Sequence, residues 1–228
     1  MVDFSPLKDF RGTADFFLLR HGQSEGNKQD IVQGHLDYPL SGEGREQASR
    51  TGIWLAGRNI QSVFCSPLKR AAETARIAAQ AAGLAPPVSL PQLLEMDTGI
   101  YTGLALADAA AKYPELWPRF QAESWEAVEG TEKIPALKQR ATAAWETLVQ
   151  KAAAIARGEA PAPPSRFGLL AVTHAGFFQW LIRAASGGDS WFPLFPMGHC
   201  GVYQLSLTGT VSRWELLNFQ APGVTGKR

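Results

Sequence analysis

Three apolar runs in this chain end in residues suited to holding an anion. FFLLR (16–20) runs into Arg20-His21-Gly22, SVFC (62–65) is followed within a few residues by Arg70, and FGLLAVTH (167–174) closes on Thr173-His174-Ala175-Gly176. Taken singly, His21 and His174 would read as ordinary core or surface histidines, and Arg70 as an exposed arginine pairing with Glu73 on its own helix. If the runs are strands of one parallel sheet, the reading changes. Ligands of open parallel sheets bind beyond the carboxyl ends of the strands, where the following helices point their N-termini. Two guanidiniums and two imidazoles would then converge on one edge. Arg70 falls in the first turn of its helix, where the macrodipole disfavours a cation, and a bound anion would reverse that penalty.

The surrounding pattern supplies those elements. A helix is expected from about Gly42, with Ser41 as N-cap. In SPLKRAAETARIAAQAAG (66–83), Ser66 is read as the cap, Pro67 as the first helical position and Gly83 as the stop. AGFFQWLIRAAS (175–186) is helical and ends at Gly187-Gly188. Strands alternating with helices predict a mainly parallel sheet covered on both faces. Residues 104–157 read as helical without strands, GEAPAPPSR (158–166) as a surface loop, and 202–207 with 211–217 as a hairpin turning at Thr208-Gly209-Thr210. There is no internal repeat.

Composition narrows the classes further. The 228 residues are 45% hydrophobic and 19% charged, which suits one compact domain with a sizeable core. With 22 Lys+Arg against 21 Asp+Glu there is no surplus positive field for nucleic acid or an anionic membrane. Cys65 and Cys200 are too sparse for a disulfide framework and fit a reducing compartment. Asp3, Lys8, Asp9 and Arg11 interrupt the stretch where a signal peptide needs an apolar run, and no segment approaches the roughly 18 apolar residues of a membrane span. A cytoplasmic protein is expected.

LRHGQSEGN (19–27) resembles the signature of the histidine phosphatase superfamily, which includes cofactor-dependent phosphoglycerate mutases and many small-molecule phosphatases. The resemblance continues through QGHLDYPLSGEGREQA (33–48), SPLKRAAETA (66–75), LLEMDTGIYTG (93–103) and VTHAG (172–176), in the family's order. It covers the first hundred residues and one short later block. The resemblance implies a phosphoglycerate mutase-like fold: a single α/β domain over 1–228, a three-layer α/β/α sandwich with a mainly parallel sheet and a small helical insertion at about 104–157.

The same resemblance assigns roles. His21 would be the nucleophile that becomes phosphohistidine. Arg20, Arg70 and His174 would hold the phosphoryl oxygens, Ser24, Asn27, Gln33 and Gly34 would contact substrate, and Glu95 would be the proton donor. These roles are chemically coherent: nearby guanidiniums disfavour imidazolium, keeping the attacking nitrogen unprotonated, and they stabilise the transferring phosphoryl group. Burial beside a phosphate dianion would let Glu95 hold a proton for the leaving alkoxide. No metal and no cofactor are needed in this scheme. His35 reads as a surface loop residue without chemistry, and His199 as a residue that could approach the pocket.

Other readings of these letters fail on geometry or charge. Cys65 and Arg70 are one residue short of the CxxxxxR loop of cysteine phosphatases, and Pro67 removes an amide that such a loop needs. A zinc site from His21, His35, His174, His199 and the cysteines lacks closely spaced ligand pairs and would sit beside two arginines. Gly42 and Gly44 lack the third glycine and preceding strand of a dinucleotide motif.

Mutases that resemble the N-terminal blocks carry a basic, Arg- and Tyr-rich segment after the acid. The segment from Tyr101 onward lacks that cluster, which favours hydrolysis. Phosphatase members often have Gly-Glu-Ser before the long helix, where this chain has Gly130-Thr131-Glu132, and Ala175 replaces a common glycine. Trp117, Phe120, Trp125, Trp191, Phe192 and Phe195 lie on segments able to cover the pocket, although ordinary packing would explain most of them. The expectation is a metal-independent phosphomonoester hydrolase. Mutase-type transfer and a phospho-ligand binding protein with little turnover are the alternatives. The expected partner is a small-molecule phosphomonoester, with no nucleic acid and no membrane, taken up by a monomer or a homodimer.

Overall fold

A computed structural model describes residues 1–158 and 165–224. The loop expected at 158–166 therefore lies largely outside the described residues. Six strands form one sheet: β1 (Thr13–Arg20), β2 (Ile60–Cys65), β3 (Val88–Ser89), β4 (Arg166–Thr173), β5 (Val202–Thr208) and β6 (Val211–Phe219). Their order is β3-β2-β4-β1-β5-β6. The pairings β2–β3, β2–β4 and β1–β4 are parallel, while the C-terminal hairpin adds β5 and β6 antiparallel. β1 and β4 are apolar without alternation because the sheet is covered on both sides.

Successive residues of β1 feed different layers. Phe16 and Leu18 pack with Trp145, Leu148, Phe178 and Trp180, on α6 (Ile134–Ala156) and α7 (Ala175–Ser186). Phe17 and Leu19 pack with Ala48, Leu55, Ala71, Ala75 and Ala79, on α2 (Gly42–Leu55) and α3 (Lys69–Ala82). This is the expected three-layer sandwich. The alanine stripe of α3 lets that helix lie close to the sheet. Trp145 is fully buried, and its indole N–H donates to the Leu181 carbonyl at 2.8 Å, tying α6 to α7. Burying each such large side chain contributes about 1.5–3 kcal/mol.

Local signals set the helix ends. Ser41 caps α2 by accepting the Gly44 N–H, and Gly83, in the left-handed region, ends α3. The capping role expected of Ser66 is corrected. Helix α3 begins at Lys69 with Leu68 as N-cap and no side-chain cap, so Pro67 also lies before the helix; Ser66 Oγ accepts the Leu68 N–H at 3.3 Å and meets His174 Nε2 at 2.7 Å. The stretch 104–157 divides in two. α6 belongs to the main core, whereas α4 (Leu106–Lys112) and α5 (Trp117–Glu123) gather around Tyr101, Ala109 and Val128 in a small separate cluster.

Candidate active site

The register of β1 and β4 builds the site. Arg20 pairs with Thr173, so the next residue of each strand, His21 and His174, leaves the sheet side by side. The ring centroids are 5.1 Å apart. On the other side of β4, Cys65 pairs with Val172, which delivers Ser66 to the same edge. His21 Nδ1 lies 2.6 Å from the Gly22 carbonyl. A carbonyl can only accept, so Nδ1 carries the proton and Nε2 keeps its lone pair. His174 Nε2 lies 2.7 Å from the Ser66 hydroxyl, while its Nδ1 is buried without a partner.

Both imidazoles are held well below the ordinary histidine range. Burial is the main cause, and the Arg70 charge the next. His21 is therefore neutral at physiological pH, as an attacking nitrogen must be.

The two guanidiniums are fixed from behind by carbonyls. Arg70, 1% exposed, donates to Leu36 at 2.7 Å and to Gly34 at 2.8 Å. It does not pair with Glu73, which takes Arg45 at 2.7 Å. Arg20 donates to the Met197 carbonyl, and burial lowers it to about 10, leaving it a cation. The Nε atoms of both arginines are buried without partners, as is His174 Nδ1. An unsatisfied buried polar group costs about 1–3 kcal/mol.

Glu95 faces the same cavity from a loop held over the strand ends, where Thr173 donates its hydroxyl to the Leu93 carbonyl at 2.7 Å. Its carboxylate serves as a cap for α7. Oε1 accepts the N–H groups of Met96 at 2.9 Å and Phe177 at 2.8 Å, and Oε2 accepts that of Gly176 at 3.2 Å. Oε2, with one long contact, has the freer lone pairs for proton transfer. A Cβ on Gly176 would lie 2.9 Å from Oε1 and 2.8 Å from the Met96 sulfur, so a larger residue there would push one of these side chains aside.

These residues border a cavity of about 380 Å³. Arg20, His21, Arg70, Glu95, Asn27, Gln33 and Gly34 line it. His174 does not; it is fully buried against His21, with its Nδ1 unpartnered. Ser24 is corrected from a substrate contact to a support. It is fully buried, caps the short α1 (Glu25–Lys28) by accepting the Asn27 N–H at 3.1 Å, and has Asn27 Oδ1 at 2.9 Å and Gln33 Oε1 at 2.8 Å as the two acceptors in reach of its one proton. It thereby orients two residues that do reach the cavity.

His35 has a contact that the sequence reading did not give it: Nε2 lies 2.8 Å from the Glu95 carbonyl. His199 is buried near Arg20 and lowered to about 3, mainly by burial, but it does not line the cavity. Of the six aromatics, Phe120, Trp125, Trp191 and Phe195 line the cavity, while Trp117 and Phe192 do not.

Sequence reasoning passed over Ser66 as a histidine partner, and also Arg140, Gln179 and Arg183, which brace the site's walls. Gly130-Thr131-Glu132 makes no substrate wall in the main cavity. The Thr131 hydroxyl donates to the Val128 carbonyl and Glu132 binds Arg140. Among the described residues, no three His, Cys, Asp or Glu side chains gather to hold a metal, and no helix is long and apolar enough to cross a membrane.

Comparison with known proteins agrees with this geometry. Residues 16–220 match the family model of the histidine phosphatase superfamily (branch 1). The chain is 31% identical over 226 residues to phosphoglycerate mutase-like protein 4 of Arabidopsis thaliana, covering 94% of this chain and 93% of that one. It is 34% identical over 105 residues to the uncharacterized phosphatase PhoE of Bacillus subtilis, spanning 46% of this chain and 54% of that protein. A mycobacterial glucosyl-3-phosphoglycerate phosphatase, solved in complex with VO3, superposes with a TM-score of 0.75 at 27% identity, covering 91% of this chain and 99% of that chain.

Proposed function

The chain belongs to the histidine phosphatase superfamily, and from that premise we propose that it hydrolyses a small phosphomonoester through a phosphohistidine on His21. The observation that carries the reading is the cradle itself. The side chains of Arg20 and Arg70 line the cavity beside His21, whose imidazole burial holds neutral, and His174 packs against that ring at 5.1 Å.

In the first step His21 Nε2 attacks phosphorus and the P–O ester bond breaks. The leaving alkoxide takes a proton from Glu95 Oε2 and departs as the alcohol. In the second step a water gives a proton back to Glu95 while its oxygen attacks phosphorus, the P–N bond breaks, and inorganic phosphate leaves. Arg20 and Arg70 neutralise the equatorial oxygens in both steps, which is the work a metal would otherwise do, so we propose a metal-independent reaction.

Hydrolysis is favoured over mutase transfer by the charges lining the cavity. Among the described residues, Arg20 and Arg70 are the only cationic side chains lining it. Both cations belong to the phosphoryl cradle, leaving none for the carboxylate of a phosphorylated triose acid. The buried free thiols Cys65 and Cys200 suit a reducing compartment, and we place the enzyme in the cytoplasm.

The test is acid-labile label. Brief reaction with a labelled phosphomonoester is expected to leave phosphate on wild type and none on His21→Ala. Tight phosphate binding without label or turnover would instead favour a phospho-ligand binding protein.

A further inference from the structure

We propose that the outer part of the cavity is an aromatic chamber that selects phosphomonoesters whose leaving group carries an uncharged planar ring. The proposal rests on the phosphatase reading and adds a substrate class to it.

Two separately braced groups of side chains make the chamber. Phe120 and Trp125 meet edge to face, centroids 5.1 Å apart, and both pack on the fully buried Tyr101. Trp191, Leu194, Phe195 and Met197 come from a loop after α7. That loop is held by α7 itself. Gln179 donates to the Phe195 carbonyl at 2.8 Å and accepts the Phe195 N–H at 3.1 Å, while Arg183 donates to the carbonyls of Ser190 at 2.5 Å and Pro193 at 2.7 Å. Trp191 stands edge-on against Trp180 at 5.2 Å. Because every ring is supported from behind, the half-buried faces of Phe120, Trp125 and Phe195 are fixed surfaces at the cavity and cannot simply collapse into it.

The chemistry of the walls discriminates. A sugar or glycerol entering here would exchange most of its water for apolar surface, since the Gln179 amide is committed to the loop and the Thr98 hydroxyl to Thr102, leaving Ser124 as the polar side chain beside the rings. Among the described residues, the lining offers a carboxylate no cation beyond the cradle. A planar ring loses nothing polar and gains stacking and burial. The 380 Å³ volume is in the range of small-molecule sites.

The experiment compares kcat/KM for benzyl phosphate, glycerol 3-phosphate and 3-phosphoglycerate, all alkyl esters, so that leaving-group acidity does not create the preference. Benzyl phosphate is expected to win by roughly 10- to 100-fold. Phe120→Ala, and independently Leu194→Lys at the 53% exposed mouth, are expected to shrink that ratio, the second by improving 3-phosphoglycerate. Equal or better turnover of glycerol 3-phosphate, or an unchanged ratio in both variants, overturns the chamber while leaving the phosphatase reading intact. Binding of benzylphosphonate against methylphosphonate separates the two ideas. If no ester is turned over yet benzylphosphonate binds at least 10-fold tighter, hydrolysis fails and the chamber stands; equal binding of the two overturns the chamber.

Discussion

Arg140 donates from Nη1 to the carbonyl of Leu94 at 2.6 Å, fixing the residue that precedes Glu95 from a helix 46 positions along the chain. The same guanidinium is held two-pronged by Glu132, at 2.9 and 2.5 Å, and lies 3.9 Å from the centroid of the Phe177 ring. The Phe177 N–H in turn binds Glu95 Oε1. Arg140 thus braces the acid from both flanks. Arg140→Lys keeps the charge and loses the fork. It is expected to lower kcat about 10-fold for alkyl phosphates, with little effect on activated aryl phosphates, through misplacement of the acid. In a Glu95→Gln background the substitution should cost nothing more. Additive losses, equal across leaving groups, would show a purely structural role.

Glu95→Gln removes the proton carried by Oε2. The expected loss is about 10²- to 10⁴-fold for alkyl phosphates, the usual worth of a positioned general acid, and much less for nitrophenyl phosphate, whose leaving group needs no proton. A Brønsted series of substituted phenyl and alkyl phosphates measures this. Uniform slowing would remove the donor role.

Ser66→Ala leaves the buried Nε2 of His174 without its only partner. A loss of about 1–3 kcal/mol is expected in denaturant stability, with a shift in the His174 tautomer seen by imidazole nitrogen NMR. Unchanged NMR signals would mean that the hydroxyl does not set the ring.

Stability should fall as pH drops below about 6.5, where unfolded histidines take up protons that the native chain refuses. His21 and His174 are held well below that value and His199 at about 3, all chiefly by burial. Between the native and unfolded values the unfolded chain binds more protons, so acid favours unfolding, by up to about 1.4 kcal/mol per pH unit for each group. Urea midpoints at pH 7.5, 6.5 and 5.5 test this, and His21→Asn should flatten the slope. A flat wild-type profile would contradict the burial of these rings.

Bound vanadate or orthophosphate should raise Tm, since its oxygens meet the guanidiniums of Arg20 and Arg70 that line the cavity. Arg70→Lys should weaken that shift by keeping charge without the planar guanidinium. An unchanged shift in the variant would place the anion elsewhere.

The apolar runs ending at Arg20, Cys65 and Thr173, and the helices after them, were legible because strand periodicity, caps and turn glycines are local properties of the chain. With three such units, a parallel sheet follows, and with it the meeting of His21, Arg70 and His174 at one edge. The family blocks added Glu95, which no spacing argument singles out. Other features depended on three-dimensional neighbours. Ser66 resembles a helix cap until the β2–β4 register sets it against His174, and Ser24 resembles a ligand contact until its hydroxyl is seen spent on Asn27 and Gln33. Arg140 and His35 meet the backbone around Glu95 only because chain folding closes large sequence gaps. Strands, helix ends and turns can be inferred from residue types, since each depends on a short stretch. Which hydroxyl, guanidinium or ring is left open to a ligand is a matter of what else has already claimed it, and that is decided by contacts between segments far apart in the chain.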